Sequence, residues 1–149
     1  MSAVTRIDSP PLPEPDEFSQ FFWDAIGKRE LQIQRCQDCK RYIHYPQPIC
    51  RFCLSRDLAG EPVSGRATLY SWTVAVQAFH PFWIDRLPFV IATVELEEQP
   101  GLMMTSQIVE CREEDLFAGM RLTVLFEEVA PDLTLPFFRP AALSGEGER

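Results

Sequence analysis

The sequence predicts a mainly β fold in which an N-terminal helical arm leads into a zinc ribbon and then into a five-stranded barrel of the OB type. Three observations predict this order. Two Cys-x-x-Cys pairs lie within residues 36–53, and runs rich in β-branched and aromatic residues begin at residue 67. The 149 residues also include 13 prolines, which favour turns and short strands over long helices. This length suits one ordinary domain or two very small ones.

Five segments are predicted along the chain. They are an extended arm over residues 1–16, an aromatic helix within 17–30, the ribbon over 31–60, the barrel over 61–142 and a disordered tail over 143–149. Four prolines and the absence of apolar periodicity keep the arm outside any regular element.

The predicted helix, over about residues 17–27, carries an unusual number of aromatic side chains. Its apolar residues recur at the three-to-four spacing of one helical face, and Asp16 or Ser19 is placed to cap it. Large aromatic residues dominate both small cores and protein interfaces, so packing on the chain's own domain and a partner surface both stay open. The candidate partner residues are Phe18, Phe21, Phe22 and Trp23.

Four cysteines form the predicted metal site. Cys36 and Cys39 make one Cys-x-x-Cys pair, and Cys50 and Cys53 make the second after ten intervening residues. Two such pairs fill the four positions of a tetrahedral ion and leave none open to water, so we expect a structural Zn²⁺ and no chemistry at the metal. Iron is the less favoured alternative, because a tetrahedron of thiolates suits both metals. Cys111 lies apart in an apolar run, where we expect a small buried side chain.

The cysteine pairs are predicted to sit on a two-stranded ribbon. Residues 31–35 alternate apolar and polar side chains on the way into the first pair, and residues 42–45 lead back toward the second. A ribbon this small makes too few hydrophobic contacts to be stable by itself, so we expect a bound metal to hold its strands together. His44 lies in the second strand, and we assign it a structural or surface role because four cysteines already saturate the ion.

The barrel strands are predicted over residues 67–78, 89–97, 102–109, 121–129 and 135–138. The second and third form a hairpin across a Pro100-Gly101 turn. Residues 113–118 read as one or two helical turns, with acidic residues at the start and Gly119 after the end. Five strands with a short helix between the third and fourth are typical of an OB barrel.

Charge and residue type argue against two function classes. The net charge is −8, whereas residues 28–66 carry eight Lys or Arg and four Asp or Glu, which leaves −12 on the rest. An acidic barrel disfavours the binding of nucleic acid, because its charge would repel the phosphates. The binding of a small anion at the basic ribbon remains compatible with this charge distribution. We assign no catalytic residue, since His80 has only Asp85 nearby in sequence and no nucleophile lies in an activating turn.

The sequence also carries no signal for a membrane. Its longest uncharged stretch, residues 67–84, is shorter than the roughly 20 apolar residues that span a bilayer, and the N-terminus lacks the apolar core of a signal peptide. We therefore expect a cytoplasmic protein with reduced thiols.

An ordered set of motifs resembles a known family. It comprises Phe21-Phe22-Trp23, the strand into Cys36, Pro46 and Pro48 before Cys50, the segment Gly65-x-x-x-Leu-Tyr-Ser-Trp-Thr, Pro88-Phe-Val-Ile-Ala, Gly119-Met-Arg-Leu, and Leu135-Pro-Phe-Phe-Arg-Pro. Across residues 17–142 the chain resembles the acyl-CoA-associated OB-fold proteins with an N-terminal rubredoxin-like zinc ribbon, catalogued as a domain of unknown function. Lys40 departs from the family, which often has glycine after the second cysteine.

The resemblance implies a non-catalytic partner subunit. Members are similar to the small subunits of thiolase-fold enzymes, including retro-aldolases that shorten steroid side chains, and some are joined to MaoC-type enoyl-CoA hydratases. The expected partners are therefore a thiolase-like or aldolase enzyme, with a hydratase as a further one, in a hetero-oligomer that holds or channels an acyl-CoA thioester. Basic residues suit the CoA phosphates and aromatic ones suit its long arm. The candidate ligand-binding residues are Arg35, Lys40, Arg41, Arg51, Phe79 and Trp83.

Two other functions remain as alternatives. Zinc ribbons and OB barrels also serve in single-stranded nucleic-acid binding, against which the acidic barrel argues. An independent hydrolase or hydratase is the weaker option, because the sequence offers no convincing catalytic constellation.

Overall fold

The computed structural model describes residues 10–141. Within them the fold is mostly strand, as predicted, with a ribbon followed by a closed barrel. Residues 10–16 contain no regular element. The first nine residues of the predicted extended arm and the predicted disordered tail at 143–149 lie outside the described residues.

The N-terminal helix α1, Gln20–Gly27, is shorter than predicted, because residues 17–19 form a turn. Asp16 holds that turn, since its carboxylate accepts hydrogen bonds from the backbone N–H groups of Phe18 at 2.9 Å and Ser19 at 2.8 Å. The face of α1 that carries Phe22 and Ile26 is buried. The helix is therefore held by packing rather than by its own length, which is too short for independent stability.

The ribbon has three strands where the sequence predicted two. Strands β1, Gln32–Cys36, β2, Tyr42–Ile43, and β3, Leu58–Pro62, form an antiparallel sheet in the order β2-β1-β3. The third strand carries no alternating pattern and includes Gly60, so sequence periodicity does not reveal it. Gly60 is needed because a Cβ atom there would overlap the ring of Phe21 on α1.

The remaining five strands close into the predicted barrel. They are β4, Arg66–Ala75, β5, Phe89–Leu96, β6, Met103–Ile108, β7, Arg121–Ala130, and β8, Leu133–Pro140, in the order β4-β5-β6-β8-β7. Strand β4 also pairs with β7, which completes the circle. A 3-10 turn, Glu113–Asp115, stands between β6 and β7 where one or two helical turns were predicted.

One short helix was not predicted. The first barrel strand ends at Ala75 instead of continuing to residue 78, and the following loop contains α2, Pro81–Ile84. The Nδ1 atom of His80 accepts a hydrogen bond from the backbone N–H of Phe82 at 3.2 Å. His80 is thus an N-cap, a structural role that the aromatic run around it concealed in the sequence.

Ribbon and barrel share one hydrophobic core. Leu31, Ile33 and Tyr42 from the ribbon pack in the same buried cluster as Val94 and Phe138 of the barrel. The side-chain amide of Gln99 reinforces this junction, because it accepts from the Tyr42 N–H at 2.8 Å and donates to the Tyr42 carbonyl at 3.0 Å. Among the described residues no helix has the length and hydropathy that crossing a membrane requires.

The junction between ribbon and barrel generates a stability prediction. Gly65 has φ +81° and a Cβ there would overlap Val124, whereas Gly119 has φ +88° with no atom within 4 Å of that position. Gly119→Ala should cost about 1–2 kcal/mol for the left-handed backbone alone. Gly65→Ala should cost about 1–3 kcal/mol more, because overpacking is added to the same backbone cost.

Urea unfolding of the two variants measures the difference, with Gly119→Ala as the matched control. Equal losses in the free energy of unfolding would show that the contact with Val124 does not constrain the junction.

Candidate metal centre and aromatic cavity

The four predicted cysteines converge on one point. The sulfur atoms of Cys36, Cys39, Cys50 and Cys53 all lie within 4.8 Å of one another. Cys36 and Cys53 are 3.5 Å apart, and Cys39 and Cys50 are 3.7 Å apart, measured between their Sγ atoms. Cys36 and Cys50 are fully buried, and Cys53 is exposed.

Each cysteine pair sits on the same tight turn. The N–H of Lys40 donates to the carbonyl of Cys36 at 3.0 Å, and the N–H of Leu54 donates to that of Cys50 at 2.9 Å. Both Lys40 and Leu54 have φ of +66°. The left-handed position where glycine is often expected is thus occupied by larger side chains in both knuckles, and both are exposed.

The turns also direct backbone N–H groups at sulfur. The Cys39 N–H approaches Cys36 Sγ at 3.4 Å, and the Phe52 N–H approaches Cys50 Sγ at 3.3 Å. The N–H groups around Cys36, that of Cys39 first, lower the pKa of its thiol to about 6. Metal ligands must be thiolates, so this environment prepares a ligand.

The donor set fits a tetrahedral ion. Metal–sulfur bonds of about 2.3 Å imply sulfur–sulfur separations of about 3.8 Å in a regular tetrahedron. The two separations of 3.5 and 3.7 Å agree with that spacing. Four convergent sulfurs can supply all four ligands of a tetrahedral ion, which is the donor set of a closed site. Cys111 takes no part; it packs half-buried against the barrel core, and burial raises its pKa.

The basic ligand candidates lie at the metal end of the ribbon. Arg35 is engaged within the chain: it forms an ion pair with Glu61 at 3.3 Å and donates to the Lys40 carbonyl at 2.8 Å. Arg41 and Arg51 are exposed, and their guanidinium carbons lie 4.7 and 5.0 Å from the centre of the Phe52 ring. Lys40 is exposed as well.

The aromatic ligand candidates lie elsewhere. Phe79 is 95% exposed on the loop before α2. Trp83 is half-buried on α2 and makes an edge contact with Phe82, with ring centres 4.9 Å apart. The structure therefore does not bring the predicted basic and aromatic ligand residues into one cluster.

The aromatic residues of α1, and Phe18 in the turn before it, differ in how far they are buried. Phe22 is buried and meets Trp23 edge-on, with ring centres 5.2 Å apart. Phe21 packs over Gly60, and Phe18, Phe21 and Trp23 are half-buried. Packing on the chain's own domain accounts for Phe22, and a partner surface on the other three stays a prediction.

A cavity of about 570 Å³ is the feature that the sequence did not reveal. It lies between α1, the segment that follows β2, α2 and the outer face of the barrel at β5, β6 and β8. Six aromatic residues line it: Phe22, Trp23, Tyr45, Trp83, Phe89 and Phe137. The sequence shows that these residues are apolar, but it does not show that they line one cavity, because they come from five separate elements.

His44 also lines this cavity and was assigned only a structural or surface role. It is 9% exposed, and neither ring nitrogen hydrogen-bonds to any residue that the structure describes. Burial lowers the pKa of His44 to about 4, so the ring is neutral at pH 7.

Comparison with known proteins accounts for both halves of the chain. Residues 23–59 match the rubredoxin-like zinc ribbon domain of ChsH2, and residues 60–127 match the ChsH2 C-terminal OB-fold domain. The chain is 36% identical over 131 residues to a "probable enoyl-CoA hydratase alpha subunit" of Thermomonospora curvata. That match covers 88% of this chain, which spans 40% of the relative's length.

Two further proteins match over most of their own length. A "DUF35 domain-containing scaffold protein" of Methanocaldococcus jannaschii is 33% identical over 112 residues, covering 74% of this chain and 77% of that protein. A chain of the solved "Ltp2-ChsH2(DUF35) aldolase" is 35% identical with a TM-score of 0.79, and the match covers 87% of this chain and 98% of that one. The protein therefore belongs to the DUF35 family, and it carries the rubredoxin-like zinc ribbon and the OB-fold domain described for ChsH2.

Proposed function

We propose that this chain is a non-catalytic accessory subunit that binds a thiolase-fold enzyme, a thiolase or a side-chain retro-aldolase, in a hetero-oligomer. The observation that carries the proposal is the likeness to the Ltp2-ChsH2(DUF35) aldolase chain, of which 98% is matched. The similarity to a DUF35 scaffold protein supports the same role. A MaoC-type hydratase as a further partner rests on the family resemblance and on the hydratase subunit that shares 36% identity.

The partner surface that we favour is the loop between β4 and β5. It exposes three large apolar side chains: Val76 at 77%, Phe79 at 95% and Ile84 at 53%. Clustered exposed apolar residues mark interaction surfaces, and isolated ones do not. Phe18 and the exposed parts of Phe21 and Trp23 on α1 remain a second candidate.

The same subunit is proposed to help hold or channel an acyl-CoA thioester. Exposed Lys40, Arg41 and Arg51 at the metal end suit the phosphates of CoA. Arg35 is a weaker candidate than the sequence implied, because Glu61 and the Lys40 carbonyl already occupy its guanidinium.

The metal is proposed to be zinc with a structural role. Four thiolates in a closed tetrahedron suit zinc, and the match to a zinc ribbon domain supports it over iron. Thiolates stay available as ligands in a reducing compartment, in line with the expected cytoplasmic location.

Single-stranded nucleic acid is a poorer fit than an enzyme partner. OB barrels bind single strands on the face of the second and third strands, which are β5 and β6 here. That face lines the cavity beneath α1, and no Lys or Arg is among the cavity's described lining residues. A single-strand site requires basic residues along the backbone path.

The zinc proposal predicts a metal content that one substitution removes. The purified chain should contain about one zinc per molecule, and Cys39→Ser should lose it, because three thiolates leave the site open. Loss of the ion should unfold the ribbon, since structural zinc contributes about 10–16 kcal/mol to comparable small sites.

Elemental analysis by mass spectrometry and far-ultraviolet circular dichroism measure the two effects. Cys111→Ser is the matched control, and we expect it to keep both metal and fold. A folded wild-type chain with only traces of zinc would contradict the proposal, and stoichiometric iron would replace zinc as the metal.

The partner proposal predicts co-purification with a thiolase-fold enzyme. A tagged chain expressed in its own cells should recover such an enzyme in near-equal amounts, as identified by peptide mass spectrometry. Phe79→Asp should reduce recovery by about tenfold, because a charge in an apolar interface costs more than 1 kcal/mol.

Phe117→Asp is the matched control, since Phe117 is 58% exposed on the separate connection between β6 and β7. Recovery that is unchanged in Phe79→Asp would move the interface to α1. A chain that purifies alone, or that turns over acyl-CoA by itself, would contradict the accessory role.

A further inference from the structure

The cavity lies beside the point where the backbone pairing of two barrel strands stops. Strands β6 and β8 pair at a single position, Ile108 with Phe138. Away from it, side chains replace the missing ladder: the Thr105 N–H donates to Tyr45 Oη at 3.1 Å, and Ser106 Oγ donates to the Pro136 carbonyl at 2.7 Å. Both strands contribute cavity wall on the side away from that pairing.

The wall chemistry selects for an uncharged ligand. Among the described residues that line the cavity there is no Asp, Glu, Lys or Arg. Its volume of about 570 Å³ falls in the range of about 300–1,000 Å³ typical of small-molecule sites. Such sites are lined mainly by apolar and aromatic groups with a few polar atoms, as this one is.

His44 supplies the unused polar atoms. Its ring nitrogens are buried and have no hydrogen-bond partner among the described residues, an arrangement that is uncommon in folded proteins. The Tyr45 ring lies 4.0 Å from the His44 ring, centre to centre, and is itself 56% exposed. A modest shift of Tyr45 would therefore admit a ligand oxygen to a neutral imidazole, which can donate one hydrogen bond and accept one.

We propose that this cavity binds the acyl portion of a thioester, a hydrocarbon chain or ring system whose single carbonyl or hydroxyl oxygen hydrogen-bonds to His44. The choice of a thioester rests on the proposed function, whereas the demand for an uncharged apolar ligand follows from the cavity itself. The phosphate-bearing end of CoA stays outside, because nothing on the cavity walls would compensate its charge.

The test uses the full zinc-loaded chain without any partner enzyme. The probe is the octanoyl thioester of N-acetylcysteamine, which has the acyl group and thioester of an acyl-CoA but no phosphate. Trp23 and Trp83 line the cavity, so saturable quenching of tryptophan fluorescence reports binding. We expect saturable binding that free CoA does not displace; no binding at millimolar probe, or full displacement by free CoA, would overturn the proposal.

A charge in the wall tests the location. Ile91 lines the cavity and is 37% exposed, so Ile91→Glu carries little risk for folding. It should weaken probe binding by at least about tenfold, because a carboxylate would have to be desolvated beside the ligand. Phe117→Glu, at a position 58% exposed outside the cavity, is the control and should bind as the wild type does. Equal binding by both variants would overturn the assignment to this cavity.

A matched ligand tests His44 without any substitution. The octyl thioether of N-acetylcysteamine has a CH2 group in place of the thioester carbonyl and keeps the acetamide, and the wild-type chain should bind it about tenfold more weakly than the thioester. His44→Phe should remove that preference while keeping thioether affinity. Equal affinities for the two ligands in the wild type would overturn the role of His44.

The outcome is separable from that of the partner proposal. Probe binding by a chain that recovers no thiolase-fold enzyme would leave the cavity assignment standing and contradict the accessory role. Recovery of the enzyme by a chain that does not bind the probe would support the accessory role and contradict the cavity assignment.

Discussion

The hydrogen bonding of residues 42–47 is the constraint on which the rest of the structure depends. This segment joins the two cysteine pairs and leaves the sheet after Ile43, so side chains must satisfy its backbone. Gln99 pairs with both backbone groups of Tyr42, and Gln34 likewise donates to the Gln47 carbonyl at 2.8 Å and accepts from its N–H at 2.9 Å. The segment is also held at both ends by the cysteine cluster, because one cysteine pair precedes it in the chain and the other follows it.

Between the hydrogen bonds at Tyr42 and those at Gln47, the segment places three residues against the barrel. His44, Tyr45 and Pro46 all line the cavity, and the His44 ring lies 5.5 Å from that of Phe22 on α1. Each hydrogen bond contributes only about 1 kcal/mol, but leaving a buried partner unpaired costs more. The ribbon that carries the cysteine cluster thereby forms one wall of a cavity on the barrel.

Charge is separated along the molecule in a way that suits a bipartite ligand. Lys40, Arg41 and Arg51 are exposed at the metal end, whereas the cavity presents aromatic rings and a neutral imidazole. Phosphates require charge-assisted contacts and hydrocarbon requires a dry apolar wall, so a single surface serves both poorly. The loop that carries Phe79 adjoins the cavity through Trp83, which places the proposed partner surface next to the proposed acyl site.

The sequence by itself determined the features that depend on local spacing. Two Cys-x-x-Cys pairs predicted the cysteine cluster, and runs rich in β-branched and aromatic residues predicted the barrel strands in order. The sequence did not predict strand β3 or helix α2, because the segment around Gly60 and the proline-aromatic run around His80 carry no periodic signal. Only the tertiary structure decided that Phe22 is core, that Arg35 is occupied by Glu61, and that His44 lines a cavity. A cavity forms where residues distant in sequence fail to fill space, and a linear pattern of residues does not encode that failure.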